Sequence, residues 1–133
     1  MTNRLQDKVC VITGTGGSRG RGAALRFAEE GALVVGCDTD AITGQETVGL
    51  LWAAGFEMIS LHPADLGTMA GCQALVDLAV AEHGRIDVLF NNAAMAHFNW
   101  IEDITEEEWR HNNRDECRFA FNRKIPVPTI STR

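Results

Sequence analysis

The chain is 133 residues long with 18 acidic against 12 basic side chains. The resulting net charge of −6 argues against a general nucleic-acid or acidic-membrane binder, because phosphate binding needs clustered Lys and Arg. Apolar residues at 45% and charged residues at 23% suit a single globular domain, and no apolar run nears the roughly 18 residues that span a bilayer.

Val9–Thr13 is short, apolar and rich in β-branched residues, which predicts a strand buried on both faces. The turn after it, Thr13-Gly14-Thr15-Gly16-Gly17-Ser18-Arg19-Gly20-Arg21-Gly22, opens a helix-like run over Ala23–Glu30. Glycines at such a junction permit a tight turn, and the helix start offers N–H groups and a positive dipole end to a phosphate. The strict G-x-G-x-x-G spacing is absent, since from Gly14 and Gly16 the third position falls on Arg19. Leu33–Cys37 predicts the second strand, and Ala41–Ala54 a helix weakened by Gly44 and Gly49 at about 1 kcal/mol each. Glu57–Leu61 predicts a third strand and Ile86–Phe90 a fourth. Between them Met69–His83 is the clearest helix, with Thr68 to cap its start and apolar residues at three- and four-residue steps. Gly31, Gly55 and Gly84 each follow a helix-like run and mark its end.

The alternation reads as βαβαβαβ: an α/β chain with a Rossmann-type parallel sheet of about four strands and flanking helices, incomplete as a full fold. Thr105-Glu106-Glu107-Glu108-Trp109 then forms a capping box that starts another helix. Beyond Glu116 there is no acid, while Pro126 and Pro128 interrupt any regular element. The expected division is a domain over 1–116 and an atypical tail over 117–133, whose abrupt change of composition points to a shifted reading frame or a misplaced gene end.

Asp38, at the end of the second strand, stands where a dinucleotide-binding unit places its ribose-binding acid. A carboxylate there accepts from both adenosine ribose hydroxyls and repels a 2′-phosphate, which favours NAD and leaves NADP as second choice. Arg19 and Arg21 pull the other way, because a cation near that ribose favours a phosphate. Cysteines 10, 37, 72 and 117 are scattered, so neither a disulfide framework nor a zinc site is expected. Together with a start, Met1–Lys8, that lacks an apolar leader core, they point to the reducing cytoplasm.

These residues resemble the short-chain dehydrogenases/reductases. Lys8-Val9-Cys10-Val11-Ile12-Thr13-Gly14 is similar to that family's first strand entering its T-G-x-x-x-G-x-G turn. Two registers fit. One uses Thr13, Gly14, Ser18 and Gly20, with serine for the middle glycine; the other uses Thr15, Gly16, Gly20 and Gly22 and requires a two-residue insertion. Helix length from Gly20 to Gly31 favours the first. Asp65-Leu66 resembles the family's adenine-binding acid and its neighbour, and Asn91-Asn92-Ala93-Ala94 its N-N-A-G. The resemblance covers about residues 5–116 and implies cofactor contacts from Gly14, Ser18, Arg19, Gly20, Asp38, Asp65, Leu66, Asn91 and Ala93.

It also implies hydride transfer between NAD(P) and a small alcohol or ketone. The family's Ser and Tyr-x-x-x-Lys have no counterpart here: there is no tyrosine, Lys124 stands beside prolines, and the catalytic Asn would fall near Glu116. No catalytic residue is therefore assigned, and this chain alone is expected to show no turnover. The alternatives are an inactive nucleotide-binding or interaction protein, and another Rossmann protein such as a methyltransferase. An uncovered fourth strand would also expose an apolar edge, so a homo-oligomer through that edge is expected.

Overall fold

The computed structural model describes residues 2–94, 98–110 and 112. The elements are β1 (Val9–Thr13), α1 (Ser18–Glu29), β2 (Leu33–Cys37), α2 (Ala41–Ala53), β3 (Met58–Leu61), α3 (Met69–His83) and β4 (Val88–Phe90). All strand pairs are parallel, and the sheet order is β3-β2-β1-β4. β1 therefore lies inside the sheet, with Val11 opposite Val35 on one side and Leu89 on the other.

Alternation along β1 divides the core. Val9 and Val11 join Val35, Cys37, Leu75 and Ala79 on the α3 face. Cys10 and Ile12 join Ala24, Ala28, Val34 and Leu51 on the face covered by α1 and α2. All four β1 residues are essentially without exposure, which explains why the strand is continuously apolar. Full burial of each valine or isoleucine contributes about 1.5–3 kcal/mol.

The helices begin and end largely as the sequence predicts. Thr68 Oγ1 accepts from Gly71 N at 3.0 Å and caps α3. Gly31, Gly55 and Gly84 all have positive φ. α2 is regular despite its two glycines, because Asp40 caps it through Ile42 N and Thr43 N while Thr47 and Leu51 anchor it by burial. The largest difference is at α1, which starts at Ser18 rather than Ala23. Gly20 and Gly22 lower intrinsic helicity there, yet Gly20 is buried and packing overrides propensity. β3 and β4 are shorter than predicted, starting at Met58 and Val88. Thr105 and Glu108 form the reciprocal capping box: Thr105 N donates to Glu108 Oε2 at 2.8 Å and Glu108 N to Thr105 Oγ1 at 3.1 Å. Glu116, Cys117, Lys124 and the tail over 117–133 lie outside the described residues.

Glu30 closes α1 and ties down the N-terminal arm. Its carboxylate accepts from Thr2 Oγ1 at 2.6 Å and Arg4 N at 3.1 Å, and pairs with Arg26. The Thr2 hydroxyl, then the Arg4 amide and the charges of Arg26 and Arg4, outweigh burial and bring its pKa from 4.5 to about 2. The folded-state pKa is depressed, so this stabilisation is complete above 4.5 and is lost as pH falls toward 2. Glu30→Gln should lose less stability than wild type between about pH 5 and about pH 3. Urea midpoints across that range check this, and parallel curves for the two proteins would refute it.

Candidate cofactor cleft

The carboxyl ends of β1, β2 and β4 converge on a cleft of about 430 Å³. Gly14, Gly17, Ser18, Arg19 and Gly20 line it from the first turn, Cys37, Asp38 and Thr39 from the second, Ala64 and Leu66 from the third, and Asn92, Ala93 and Ala94 from the fourth. In open α/β sheets this carboxyl-end crevice is where ligands bind.

The first wall is set by how closely α1 approaches β1. Gly14 has φ +72°. A Cβ on Gly20 would stand 2.0 Å from the Gly14 carbonyl oxygen, so no side chain fits between turn and helix. A Cβ on Gly22 would meet nothing within 4 Å. The close approach therefore joins Gly14 to Gly20, the pair of the first register. Gly17 stands at the α1 N-cap with no side-chain cap, so the first-turn N–H groups have no competing side-chain acceptor there. That cradle fits a phosphate.

The second wall carries Asp38, whose carboxylate is held on two sides. Oδ2 accepts from Gly16 N at 2.8 Å and Oδ1 from Asp40 N at 2.9 Å. Its remaining lone pairs are available to hydroxyl donors. Arg19 lines the cleft, whereas Arg21 turns behind the glycine loop to Thr47 at 3.1 Å and Glu46 at 3.2 Å.

The fourth wall depends on Asn92 and Thr13. Asn92 Nδ2 donates to Thr13 O at 3.0 Å and Gly14 O at 3.3 Å. Thr13 Oγ1 accepts from Asn92 N at 3.0 Å and Ala93 N at 2.9 Å. These bonds stitch the β4 turn to the β1 turn across the cleft floor.

Of the nine residues singled out in the sequence, Gly14, Ser18, Arg19, Gly20, Asp38, Leu66 and Ala93 line the cleft. Asp65 and Asn91 are exposed and do not. The Asp65 carboxylate instead accepts from Gly67 N at 2.8 Å, ordering the turn that leads into α3. Thr13 and Asn92 are not among those nine, although the sequence places Thr13 at the start of the glycine turn and Asn92 in the N-N-A-G-like segment; the structure adds them through their mutual hydrogen bonds. His97 lies outside the described residues. Among the described residues no acid, histidine and cysteine cluster could hold a metal ion.

A family model described as short chain dehydrogenase matches residues 8–113. The chain belongs to the short chain dehydrogenase family. It is 38% identical over 110 residues to 1,6-dihydroxycyclohexa-2,4-diene-1-carboxylate dehydrogenase of Acinetobacter baylyi, covering 80% of this chain and 41% of that protein. It is 37% identical over 108 residues to 2-dehydro-3-deoxy-D-gluconate 5-dehydrogenase of Dickeya dadantii, covering 81% of this chain and 42% of that one. A short chain dehydrogenase/reductase of Burkholderia phymatum, solved in complex with NAD, superposes with a TM-score of 0.81 at 31% identity. That match covers 90% of this chain and 42% of its counterpart. The chain thus spans about two fifths of the length of these relatives.

The two glycine registers differ at Gly22, a motif glycine only in the second, and in whether Gly20 closes against Gly14. Gly20→Ala should destabilise by about 1–3 kcal/mol or more through overpacking. Gly22→Ala should stabilise by about 0.5–1 kcal/mol, as alanine does in an open helix interior. Thermal and urea melts rank the two, and the reverse order would reject the Gly14–Gly20 contact.

Proposed function

We propose that this chain binds NAD and supplies the cofactor side of hydride transfer between that dinucleotide and a small alcohol or ketone. The observation that carries the reading is Asp38, fixed by two backbone donors at the edge of a cleft whose opposite wall is the uncapped start of α1. The N–H groups of α1 suit the pyrophosphate, and the Asp38 carboxylate suits the adenosine ribose hydroxyls. Gly14, Ser18, Arg19, Gly20, Leu66 and Ala93 supply the remaining walls in this reading, while Asp65 and Asn91 act from just outside. The bound dinucleotide would carry the hydride. These 133 residues contain no tyrosine and so no Tyr-x-x-x-Lys to handle the hydroxyl proton, and turnover is not expected from them alone.

Electrostatics support NAD over NADP. A 2′-phosphate would be set against the Asp38 carboxylate, while Arg21 is engaged with Glu46 behind the loop. Cys10, Cys37 and Cys72 are buried, and the scatter of the four cysteines along the sequence supports a reducing compartment such as the cytoplasm. Among the described residues no helix is long and apolar enough to cross a membrane.

Fluorescence titration should show NADH binding more tightly than NADPH. Asp38→Ala should weaken NADH by about 1–3 kcal/mol through loss of hydrogen bonds to a charged acceptor. Equal or tighter NADPH binding would overturn the role of Asp38. Binding of S-adenosylmethionine without NADH would overturn the cofactor itself.

We also propose self-association along β4. Among the described residues this strand pairs only with β1, and it leaves Leu89 and Phe90 substantially exposed. An unpaired apolar strand invites a strand from another copy. Sedimentation velocity should show concentration-dependent oligomers that Leu89→Lys reduces, and a monomer at every concentration would exclude the interface.

A further inference from the structure

We propose that Thr47, backed by Arg21, is a positioning residue for Asp38, acting through a single peptide of the glycine loop; the proposal rests on the dinucleotide reading above. A trans peptide points its C=O and N–H in opposite directions. The peptide joining Thr15 to Gly16 is held at both ends. Its carbonyl, Thr15 O, accepts from Thr47 Oγ1 at 2.8 Å. Its N–H, on Gly16, donates to Asp38 Oδ2 at 2.8 Å. The hydroxyl on α2 and the carboxylate after β2 therefore set the plane of the same peptide.

Thr47 has one hydroxyl proton and two carbonyls in reach, Thr15 O at 2.8 Å and Thr43 O at 3.1 Å. Arg21 Nε donates to the same hydroxyl at 3.1 Å, so the oxygen accepts from a cation while it donates to a carbonyl. The shorter contact selects Thr15 O, and donation from a charged group strengthens the bond that follows it. Arg21 Nη2 also reaches Gly16 O at 3.4 Å, so α1 and α2 hold successive carbonyls of the loop from behind. Thr15 and Thr47 have no exposure, so water cannot replace the lost donor without rearrangement.

There is little slack in this brace. A Cβ on Gly16 would lie 2.4 Å from Thr43 Oγ1 and 2.9 Å from Asp38 Cγ, so the loop is seated directly between the first turn of α2 and the acid. Without the Thr47 hydroxyl the peptide keeps only its Asp38 end. Any rotation then takes the Gly16 N–H away from Asp38 and, on a full flip, would present a carbonyl oxygen to it instead.

The test is a double-mutant cycle in the 133-residue chain, read by NADH fluorescence. Thr47→Val keeps the side-chain shape and should weaken NADH about tenfold, the scale of one buried hydrogen bond. Thr47→Ser restores the hydroxyl and should bind within about twofold of wild type. Arg21→Met removes the donor to Thr47 at a partly exposed position, and should weaken binding about threefold. In an Asp38→Ala background, Thr47→Val should add no more than about twofold, because residues acting through one another are not additive. Unchanged affinity in Thr47→Val, or the same loss with and without Asp38, would overturn the proposal. The Gly16 amide proton provides a readout that needs no ligand. Its exchange with solvent should be slowed by the hydrogen bond to Asp38 in wild type and become faster in Thr47→Val; equal exchange in both would also overturn the brace. A wild-type chain that shows this protection but binds no NADH would defeat the cofactor reading while leaving the brace standing.

Discussion

The approach of α1 to the carboxyl end of β1 is the constraint on which the remaining geometry rests. The helix comes so near that its third residue can carry no side chain, because Gly20 faces the carbonyl of Gly14. This contact brings the N-terminus of α1 over the strand end, and with it the N–H groups that no capping side chain occupies. A larger residue would push the helix outward, widening the cleft and moving those donors away from its floor. The same contact explains why a helix starts in a segment of poor helical propensity. Tertiary packing of Gly20, Ala24 and Ala28 against the sheet outweighs the cost of two glycines.

Four loops are then made interdependent by hydrogen bonds that close across the strand ends. Thr13 and Asn92 exchange four of them, counting Ala93 N and the Gly14 carbonyl, and so fix the β4 turn to the β1 turn. Gly14 N and Thr15 N both donate to Cys37 O, which fixes the β1 turn to the end of β2. Ala64 N donates to Asp38 O and carries the connection on to the β3 turn. The floor of the cleft is therefore cross-linked from turn to turn, and this part-buried polar network favours one arrangement of its walls.

The parallel sheet was legible because strands buried on both faces are continuously apolar and their helices end in glycine. Val9–Thr13, Leu33–Cys37 and Met69–His83 begin and end at the predicted residues. What could not be read was any property belonging to a contact between distant segments. Helix propensity, summed locally, could not foresee that Gly20 lies against Gly14. In the doubled amide, alternation of side chains at the end of β4 decides which asparagine turns inward, and that depends on register with β1. Asn92 took the inward position and Asn91 the exposed one. The second glycine register matched the letters more fully, yet the space around each glycine separates the two: Gly22 faces nothing, and Gly20 faces a carbonyl.

The opposing charges in the cleft are reconciled by position rather than by strength. Arg19 is the second residue of α1, so its guanidinium springs from the first turn, where the helix dipole already favours an anion. In the proposed reading its natural counterion is the pyrophosphate, whose charge both the dipole and the side chain would meet. Asp38 occupies the other wall, hydrogen-bonded by Gly16 N and Asp40 N and, among the described residues, in no salt bridge. Adding a phosphate at the ribose would require Arg19 to serve two anions at once or Asp38 to give up its backbone donors. The second requirement would pull on the Gly16 peptide and, through it, on Thr47 and α2. In the proposed reading, cofactor choice is thus a property of the loop and two helices together, not of the acid alone.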